Sequence, residues 1–457
     1  MGSLLDDLSA AVGGAHVLAG EAVSPDYTHD EALTAAPGIP RAVVRPRTTQ
    51  EVAAVLRIAH EARVPVVARG SGTGLSGGAI AQADAVLVVF ERMDTILELD
   101  ADNHVAVVEP GVTLEQLDAA TEPLGLVYPV FPGESTASLG GNVATNAGGM
   151  RAIKYGVTRH HILGLEAVLA SGAVIRTGGK YVKTSTGYDL TQLLVGSEGT
   201  LALVTEAILK LQPRPAHAVT LLAPFRTLDA VSTAVPRLVH AGVAPRVLEY
   251  IDALTMGAIT GNVGLDLGIP ADVRDEALAY LVVVLEGMDE DRVEEDVTDA
   301  GGLLESLGAM DVYVLPPHAG ADLISAREKA FFVAKAAGAD DIIDVVVPRA
   351  AIPRYLAGVA AIADEFGALV TGCGHVGDGN IHLSVFQPDG PRRAGLMRAV
   401  YQQGMELGGA ISAEHGIGTE KRPYFLELED PVKVELMRQI KAVFDPDGIL
   451  NPGKLLG

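Results

Sequence analysis

Two short segments in the second half of the chain concentrate side chains that bind metal ions and move protons. The first is Cys373-Gly374-His375-Val376-Gly377-Asp378-Gly379-Asn380-Ile381-His382, and the second is Ser412-Ala413-Glu414-His415-Gly416-Ile417-Gly418. Residues 381–386 alternate, which sets His382 and Ser384 on one face of a strand, opposite Ile381, Leu383 and Val385. Residues 377–380 form a turn sequence able to fold His375 back beside His382. Glu414 arrives from a separate segment. Two imidazoles and one carboxylate make a ligand set that leaves positions on a divalent ion open for substrate. A blander outcome stays open on these residues alone, because Asp-Gly-Asn is a common hairpin turn and the two histidines need share nothing.

The first half carries a different signal, glycine in three clusters. Arg69-Gly70-Ser71-Gly72-Thr73-Gly74-Leu75-Ser76-Gly77-Gly78 follows a short apolar run at 65–68. Gly72, Gly74 and Gly77 match a dinucleotide fingerprint literally, but that site needs a helix opening at the loop. Here residues 79–84 lead straight into the apolar run 85–90, so no such helix fits. With no Lys in the loop, it is not a Walker A loop either. What remains is a string of backbone N–H groups able to converge on an anion, or an ordinary flexible loop. The second cluster runs from Phe131-Pro132-Gly133-Glu134-Ser135-Thr136-Ala137-Ser138-Leu139-Gly140-Gly141-Asn142 through Thr145, Asn146, Gly148 and Gly149. Small residues predominate there, as they must where a large planar ligand lies against backbone. The third, Gly196-Ser197-Glu198-Gly199-Thr200-Leu201, leads into a strand expected to end at Val204 and Thr205.

The elements that must position these groups are readable in outline. Thr48-Thr49-Gln50-Glu51 resembles a capping box, and Val52, Val55, Leu56 and Ala59 then share a helical face. Pro213 and Pro215 interrupt the strand-like run 202–211 and mark a boundary at 212–217. Beyond it, helices at 290–306 and 353–366 precede strands at 311–315 and 368–371, which predicts helices covering one face of a mostly antiparallel sheet. The acidic run 289–296 is a solvated helix face.

Composition narrows the function. With 34 Lys plus Arg against 58 Asp plus Glu, the net charge is -24, so nucleic acid and anionic membrane surfaces are poor partners. An anionic substrate then needs its own local positive charge. No apolar stretch approaches the ~20 residues of a membrane span. The first forty residues hold no Lys or Arg and Cys373 is the one cysteine, which together predict a cytoplasmic location.

Taken as a set, the three glycine clusters resemble the FAD-binding domain of the vanillyl-alcohol oxidase family, over about residues 36–213. The resemblance implies that the first loop cradles the pyrophosphate, that the second lines the diphosphate, ribityl chain and flavin, and that the strand near Val204 meets the adenine. The residues carried over are Gly70, Ser71, Gly72, Thr73, Gly74, Leu75, Ser76, Pro132, Gly133, Ser138, Gly141, Asn142, Thr145, Gly148, Gly149, Glu198, Val204 and Asn451. Some members attach FAD covalently through a His in the first loop; none stands here, so non-covalent FAD is implied. The His-x-Gly-Asp-Gly-Asn-x-His and Ser-Ala-Glu-His-Gly-x-Gly motifs, with the ending Phe444-Asp445-Pro446-x-Gly448-Ile449-Leu450-Asn451-Pro452-Gly453-Lys454, resemble FAD-linked D-2-hydroxyacid dehydrogenases and glycolate oxidase catalytic subunits. That likeness extends the match to nearly the whole chain. It implies an α+β fold: a PCMH-type FAD-binding domain of two α/β subdomains (36–213) and a C-terminal α+β substrate domain with an antiparallel sheet (214–457). Residues 1–35 form an N-terminal segment, and about 416–457 pack back on the FAD domain.

The same resemblance implies His375, His382 and Glu414 as ligands of a divalent metal, Zn²⁺ first, with Mn²⁺ or Fe²⁺ as alternatives. It implies Asn380 on the substrate oxygens, His415 as general base and Arg327 clamping the substrate carboxylate; on its own residue type, Arg327 reads equally as a surface Arg paired with Glu328 or Asp322. Two departures stand out. Many members read Pro-Asp-Pro where this chain has Pro132-Gly133-Glu134, and members acting on dicarboxylates carry a Lys where this chain has Ile342-Ile343 before Asp344. The expected activity is therefore FAD-dependent, metal-assisted oxidation of a small D-2-hydroxy acid of the D-lactate or glycolate type. Electrons would pass to a quinone, an electron-transfer protein or oxygen. The competing readings are an oxygen-using oxidase, a D-2-hydroxyglutarate dehydrogenase, a non-catalytic flavin-binding subunit and a metallohydrolase. A homodimer is left open as the assembly.

Overall fold

A computed structural model describes residues 3–456, apart from the side chain of Ser232. The chain divides into two compact units. Unit 1 takes the chain as far as Ala147, Val157–Arg214, and everything from Glu414 on; unit 2 takes Gly148–Gly156 and Pro215–Ala413. Gly148 and Gly149, at the end of the second glycine cluster, thus open a short excursion into unit 2.

Unit 1 holds two main sheets and a two-stranded one, Leu126–Val127 with Gln212–Pro213. In the first, of four strands, Ala42–Val44, Val86–Val89 and Val66–Arg69 run parallel, with Val17–Leu18 antiparallel at one edge. These strands are continuous apolar runs because both faces are covered. Val44, Val66, Val86 and Val88 pack with Val52, Val55, Leu56 and Ala59 of helix Thr49–Ala62, while Val43, Val67, Leu87 and Val89 fill a separate core on the other face. The helix starts where the sequence indicates, with the Thr48 hydroxyl accepting from Glu51 N. The reciprocal half of the capping box is displaced by one residue, since the Glu51 carboxylate takes Arg47 N. No helix opens between Arg69 and Val86.

The second sheet is antiparallel, in the order Ile96–Asp100, Val105–Val108, Leu203–Lys210, Ile162–Val168, Val174–Gly178. Leu203–Lys210 alternates strictly between buried and half-buried positions. Val204 and Thr205 lie at the start of this strand rather than its end, because Gly196–Gly199 turns the chain and the β-branched run begins only afterwards. The C-terminal segment joins the first sheet: Val66 N donates to Ile449 O, and Asn451 N to Val66 O. Asp445 holds that return in place by accepting from Ile449 N and Leu450 N.

Unit 2 is built on seven antiparallel strands in the order Tyr313–Leu315, His217–Phe225, Ala279–Gly287, Val247–Asp252, Leu369–Gly374, Asn380–Phe386, Asp341–Val346. The sequence predicts helices on one face, but both faces are covered. Leu222, Ile251, Tyr280 and Val282 pack against helices Ala253–Val263 and Pro317–Glu328. Leu281, Val283 and Leu285 are equally buried, and helices Leu228–His240 and Glu290–Ser306 lie against those same strands. The run Ala279–Leu285 lacks polar alternation, which is the pattern of a strand with no wet face. The acidic stretch opens helix Glu290–Ser306, capped by Asp289 and solvated as expected. Among the described residues no helix is long and apolar enough to cross a membrane.

Candidate active site

Unit 1 holds a cavity where the glycine clusters meet. Gly70, Ser71, Gly72, Thr73, Gly74, Leu75 and Ser76 form one wall. Among the described residues, the N–H groups of Gly72, Thr73, Gly74, Leu75 and Ser76 donate to no protein carbonyl or side chain. Five neighbouring backbone donors left to a cavity are a ready receptor for a diphosphate. A Cβ on Gly70 would lie 1.9 Å from the Ser138 hydroxyl, so glycine is required for the loop to approach the second cluster. That hydroxyl accepts from Ser71 N at 3.3 Å and from Gly141 N at 3.4 Å, tying the two clusters together as it caps helix Leu139–Thr145.

Pro132, Ser138, Gly141, Asn142, Thr145, Glu198, Val204 and Asn451 also line this cavity. Gly133 does not; with φ at +89° it makes the turn between Pro132 and Glu134, which do. Gly148 and Gly149 do not line it either, because the chain leaves unit 1 at Ala147. Asp30 and Arg69, which sequence reasoning did not single out, are also in the wall. Arg69 donates to the carbonyls of Asp26 and His29, so it braces the loop.

Glu414 and His415 line the same cavity. Two groups grip the backbone from His415 to Gly418. The Ser76 hydroxyl hydrogen-bonds the carbonyls of His415 and Gly416, at 2.9 and 3.0 Å. Glu198 accepts Ile417 N at 2.8 Å and Gly418 N at 2.7 Å. Burial pushes the Glu198 carboxyl up, opposed by those two amides and then by Lys421 and Lys454. Glu198, expected from sequence to meet the cofactor, thus also clasps the segment that carries His415.

In unit 2 the motif His375–His382 folds as a hairpin. Asp378, Gly379 and Asn380 all direct their N–H to His375 O. Gly379 has φ at +97°, and a Cβ there would meet Val347 O. The turn brings the two imidazoles together, ring centroids 4.7 Å apart, with a ring nitrogen of each within 4.8 Å of one another. Sheet register supplies a buried carboxylate to each ring. Pairing of Tyr250 with Gly374 continues to set Glu249 opposite His375, while Asp344 pairs directly with His382.

Glu249 Oε1 lies 2.5 Å from His375 Nδ1, and Glu249 Oε2 lies 2.8 Å from Arg327. Burial alone would raise the Glu249 carboxyl, but His375 and then Arg327 outweigh it and hold its pKa below the ordinary value. Arg327 is therefore buried rather than a surface residue, and it forms an ion pair with Glu249. Asp344 Oδ1 stands 3.6 Å from His382 Nδ1 and accepts from the Asn380 amide at 3.0 Å. Asp344 Oδ2 takes the Ser412 hydroxyl and Ala413 N. The second hydrogen of the Asn380 amide goes to Val345 O, so the oxygen of that side chain is its remaining polar atom.

With Nδ1 held by Glu249, His375 keeps Nε2 as its other ring nitrogen, and the two rings supply imidazole nitrogens of the kind zinc and similar ions take. Glu414, the third residue of the expected set, belongs to unit 1.

Residues 214–455 match the model of FAD linked oxidases, C-terminal domain, and residues 40–178 match that of an FAD binding domain. The chain belongs to the FAD-linked oxidase family. The FAD binding domain match covers the first two glycine clusters that line the cavity of unit 1. Among relatives, an uncharacterized FAD-linked oxidoreductase of Mycobacterium tuberculosis is 55% identical over 100% of both chains. A D-lactate dehydrogenase of Archaeoglobus fulgidus is 40% identical over 91% of each, and a glycolate oxidase subunit of Bacillus subtilis is 38% identical over 91% of this chain and 89% of that one. Among solved structures, 4-ethylphenol oxidase from Gulosibacter chungangensis superposes with a TM-score of 0.79 at 19% identity, covering 99% of this chain and 96% of that one. That likeness concerns the fold, which is PCMH-type.

Proposed function

We propose that this chain oxidises a small D-2-hydroxy acid, of the D-lactate or glycolate type, to the 2-oxo acid, with FAD and a divalent metal ion. The observation that carries this reading is that Glu414 and His415 stand in the wall of the cavity built by the flavin loops. A proton acceptor in the cofactor's own chamber is what alcohol oxidation by a flavin needs. Relatives named D-lactate dehydrogenase and glycolate oxidase subunit support the substrate class.

Bound FAD supplies the two-electron acceptor, and a bound divalent ion supplies Lewis acidity to the substrate hydroxyl. The chain's residues do the rest. His375 through Nε2, His382 and Glu414 hold the ion. Arg327 binds the substrate carboxylate through its planar fork, which suits that group better than an ammonium would. Asn380 stands against the substrate oxygens. His415 takes the hydroxyl proton as the C2–H bond breaks, a contribution of ~10²–10⁴ in rate. Flavin attachment is non-covalent, since the loop from Gly70 to Gly78 holds no His. Ile342 and Ile343, both buried, occupy the place where a Lys is expected in dicarboxylate users, which favours a monocarboxylate. Electrons leave to a quinone, an electron-transfer protein or oxygen.

A screen of D- and L-2-hydroxy acids against an artificial dye, with and without oxygen, tests the reading. Dye reduction with D-lactate or glycolate is expected. No reduction by any 2-hydroxy acid, in protein loaded with both FAD and Zn²⁺, would refute it.

A further inference from the structure

Glu249 lies in the strand Val247–Asp252, is wholly buried, and divides its two oxygens between groups of different proposed roles. One oxygen holds the imidazole of His375 by Nδ1 at 2.5 Å; the other holds the guanidinium of Arg327 at 2.8 Å. The second histidine is supported differently. Asp344 stands 3.6 Å from His382 Nδ1 and accepts from the Asn380 amide, the Ser412 hydroxyl and Ala413 N.

We propose that Glu249 is a positioning residue that couples metal binding at His375 to the charge and placement of Arg327. The inference rests on the roles proposed above for those two residues. A carboxylate that accepts from the distal nitrogen fixes the tautomer and makes the ligating nitrogen more basic. The same carboxylate is drawn the other way by the guanidinium, so the strength with which it acts on His375 depends on what stands at 327. A buried anion between two partners cannot change its share with one without changing its share with the other, because burial leaves little solvent screening between them. A substrate carboxylate that engages Arg327 would lessen the cation's hold on Glu249 and so strengthen the metal ligand, giving the two substrate handles a common hinge.

The test uses full-length, FAD-bound protein loaded with Zn²⁺ and titrated with a chromogenic chelator, with flavin content as the check on folding. Glu249→Gln must set its NH₂ against either His375 or Arg327, and Zn²⁺ affinity should fall ~10–100-fold. Arg327→Met should tighten Zn²⁺ retention roughly fivefold or more, and this shift should vanish in a Glu249→Gln background. Arg327→Lys keeps a cation on Glu249, so Zn²⁺ retention should stay as in the wild type while KM for the hydroxy acid rises. Equal Zn²⁺ retention in the wild type and the Met variant, or the same shift with Gln at 249, would overturn the coupling. If Glu249→Gln loses its flavin, the Met and Lys variants decide: an identical shift in both, or none in either, overturns it. A wild-type protein that retains no divalent ion would overturn the metal reading along with the coupling; retained Zn²⁺ without the Met–Lys difference sinks the coupling alone.

Discussion

Replacing Glu198 by Gln should loosen the segment that carries His415 without emptying the flavin cavity. The carboxylate accepts Ile417 N at 2.8 Å and Gly418 N at 2.7 Å, and both amides are buried. A hydrogen bond to a charged acceptor contributes ~1.5–3 kcal/mol. Gln keeps one such acceptor, in neutral form, and turns an NH₂ towards the other amide. Part of the loss is recovered because burying the ionised Glu198 is itself costly, as its raised pKa indicates. A net cost of ~1.5–3 kcal/mol to the closed segment corresponds to roughly 10- to 150-fold more frequent opening. Amide hydrogen exchange resolves this directly: Ile417 and Gly418 should exchange faster by that factor, while strand Ala279–Gly287 of unit 2 should not change. Flavin content should hold, because the N–H groups of Gly72 to Ser76, the proposed diphosphate donors, are untouched. Unaltered exchange at Ile417 and Gly418 would show that Glu198 does not clasp this segment.

Other consequences are open to simple measurement. Acid precipitation should release all the flavin into the supernatant; yellow colour left in the pellet would contradict non-covalent attachment. Gly70→Ala should abolish FAD retention, since its Cβ would meet the Ser138 hydroxyl at 1.9 Å and part the first two glycine clusters; a variant with full flavin content would refute that fit. Glu328 gives a pH signature: burial raises its pKa from 4.5 to about 7, against the opposing effect of Arg151, Arg327, Arg246 and Lys329. The folded chain therefore keeps a proton that the unfolded chain has lost, so this stabilisation is complete below pH 4.5 and disappears as pH rises through about 7. Denaturant unfolding should show a decline of ~2–3 kcal/mol across that window, and Glu328→Gln should flatten it; an identical slope in the variant would refute the assignment.

The parts of the site legible in the sequence are those where backbone geometry dictates residue type. A loop that turns five neighbouring amides to a cavity favours glycine, and the tight hairpin that sets two imidazoles edge to face has Asp-Gly-Asn at its turn. Helix Glu290–Ser306 was equally readable, because an acidic N-terminal turn and a 3.6-residue pattern agree. The supporting carboxylates were not legible in the same way. Glu249 is one acid within an apolar strand, and its partners come from residues 327 and 375. Only the order of non-consecutive strands in the seven-stranded sheet brings these together. Asp344 was visible as a landmark, but its place opposite His382 depends on register across another such pair. Glu198 carried a glycine-cluster signature that pointed to the cofactor, while its hydrogen bonds run to amides more than 200 residues away. Composition likewise could not separate Gly148 and Gly149, which leave unit 1, from Gly140 and Gly141, which line its cavity.

The central claim is that a D-2-hydroxy acid delivers two electrons to the flavin while His415 removes the hydroxyl proton. Anaerobic single-turnover mixing with D-lactate or glycolate, followed in the visible flavin band, tests it most directly. The account predicts full bleaching with one 2-oxo acid formed per flavin, and a rate lowered by ~10²–10⁴ in His415→Asn at unchanged flavin and metal content. A flavin that dithionite bleaches but no 2-hydroxy acid does, or a His415→Asn variant as fast as the wild type, would contradict it.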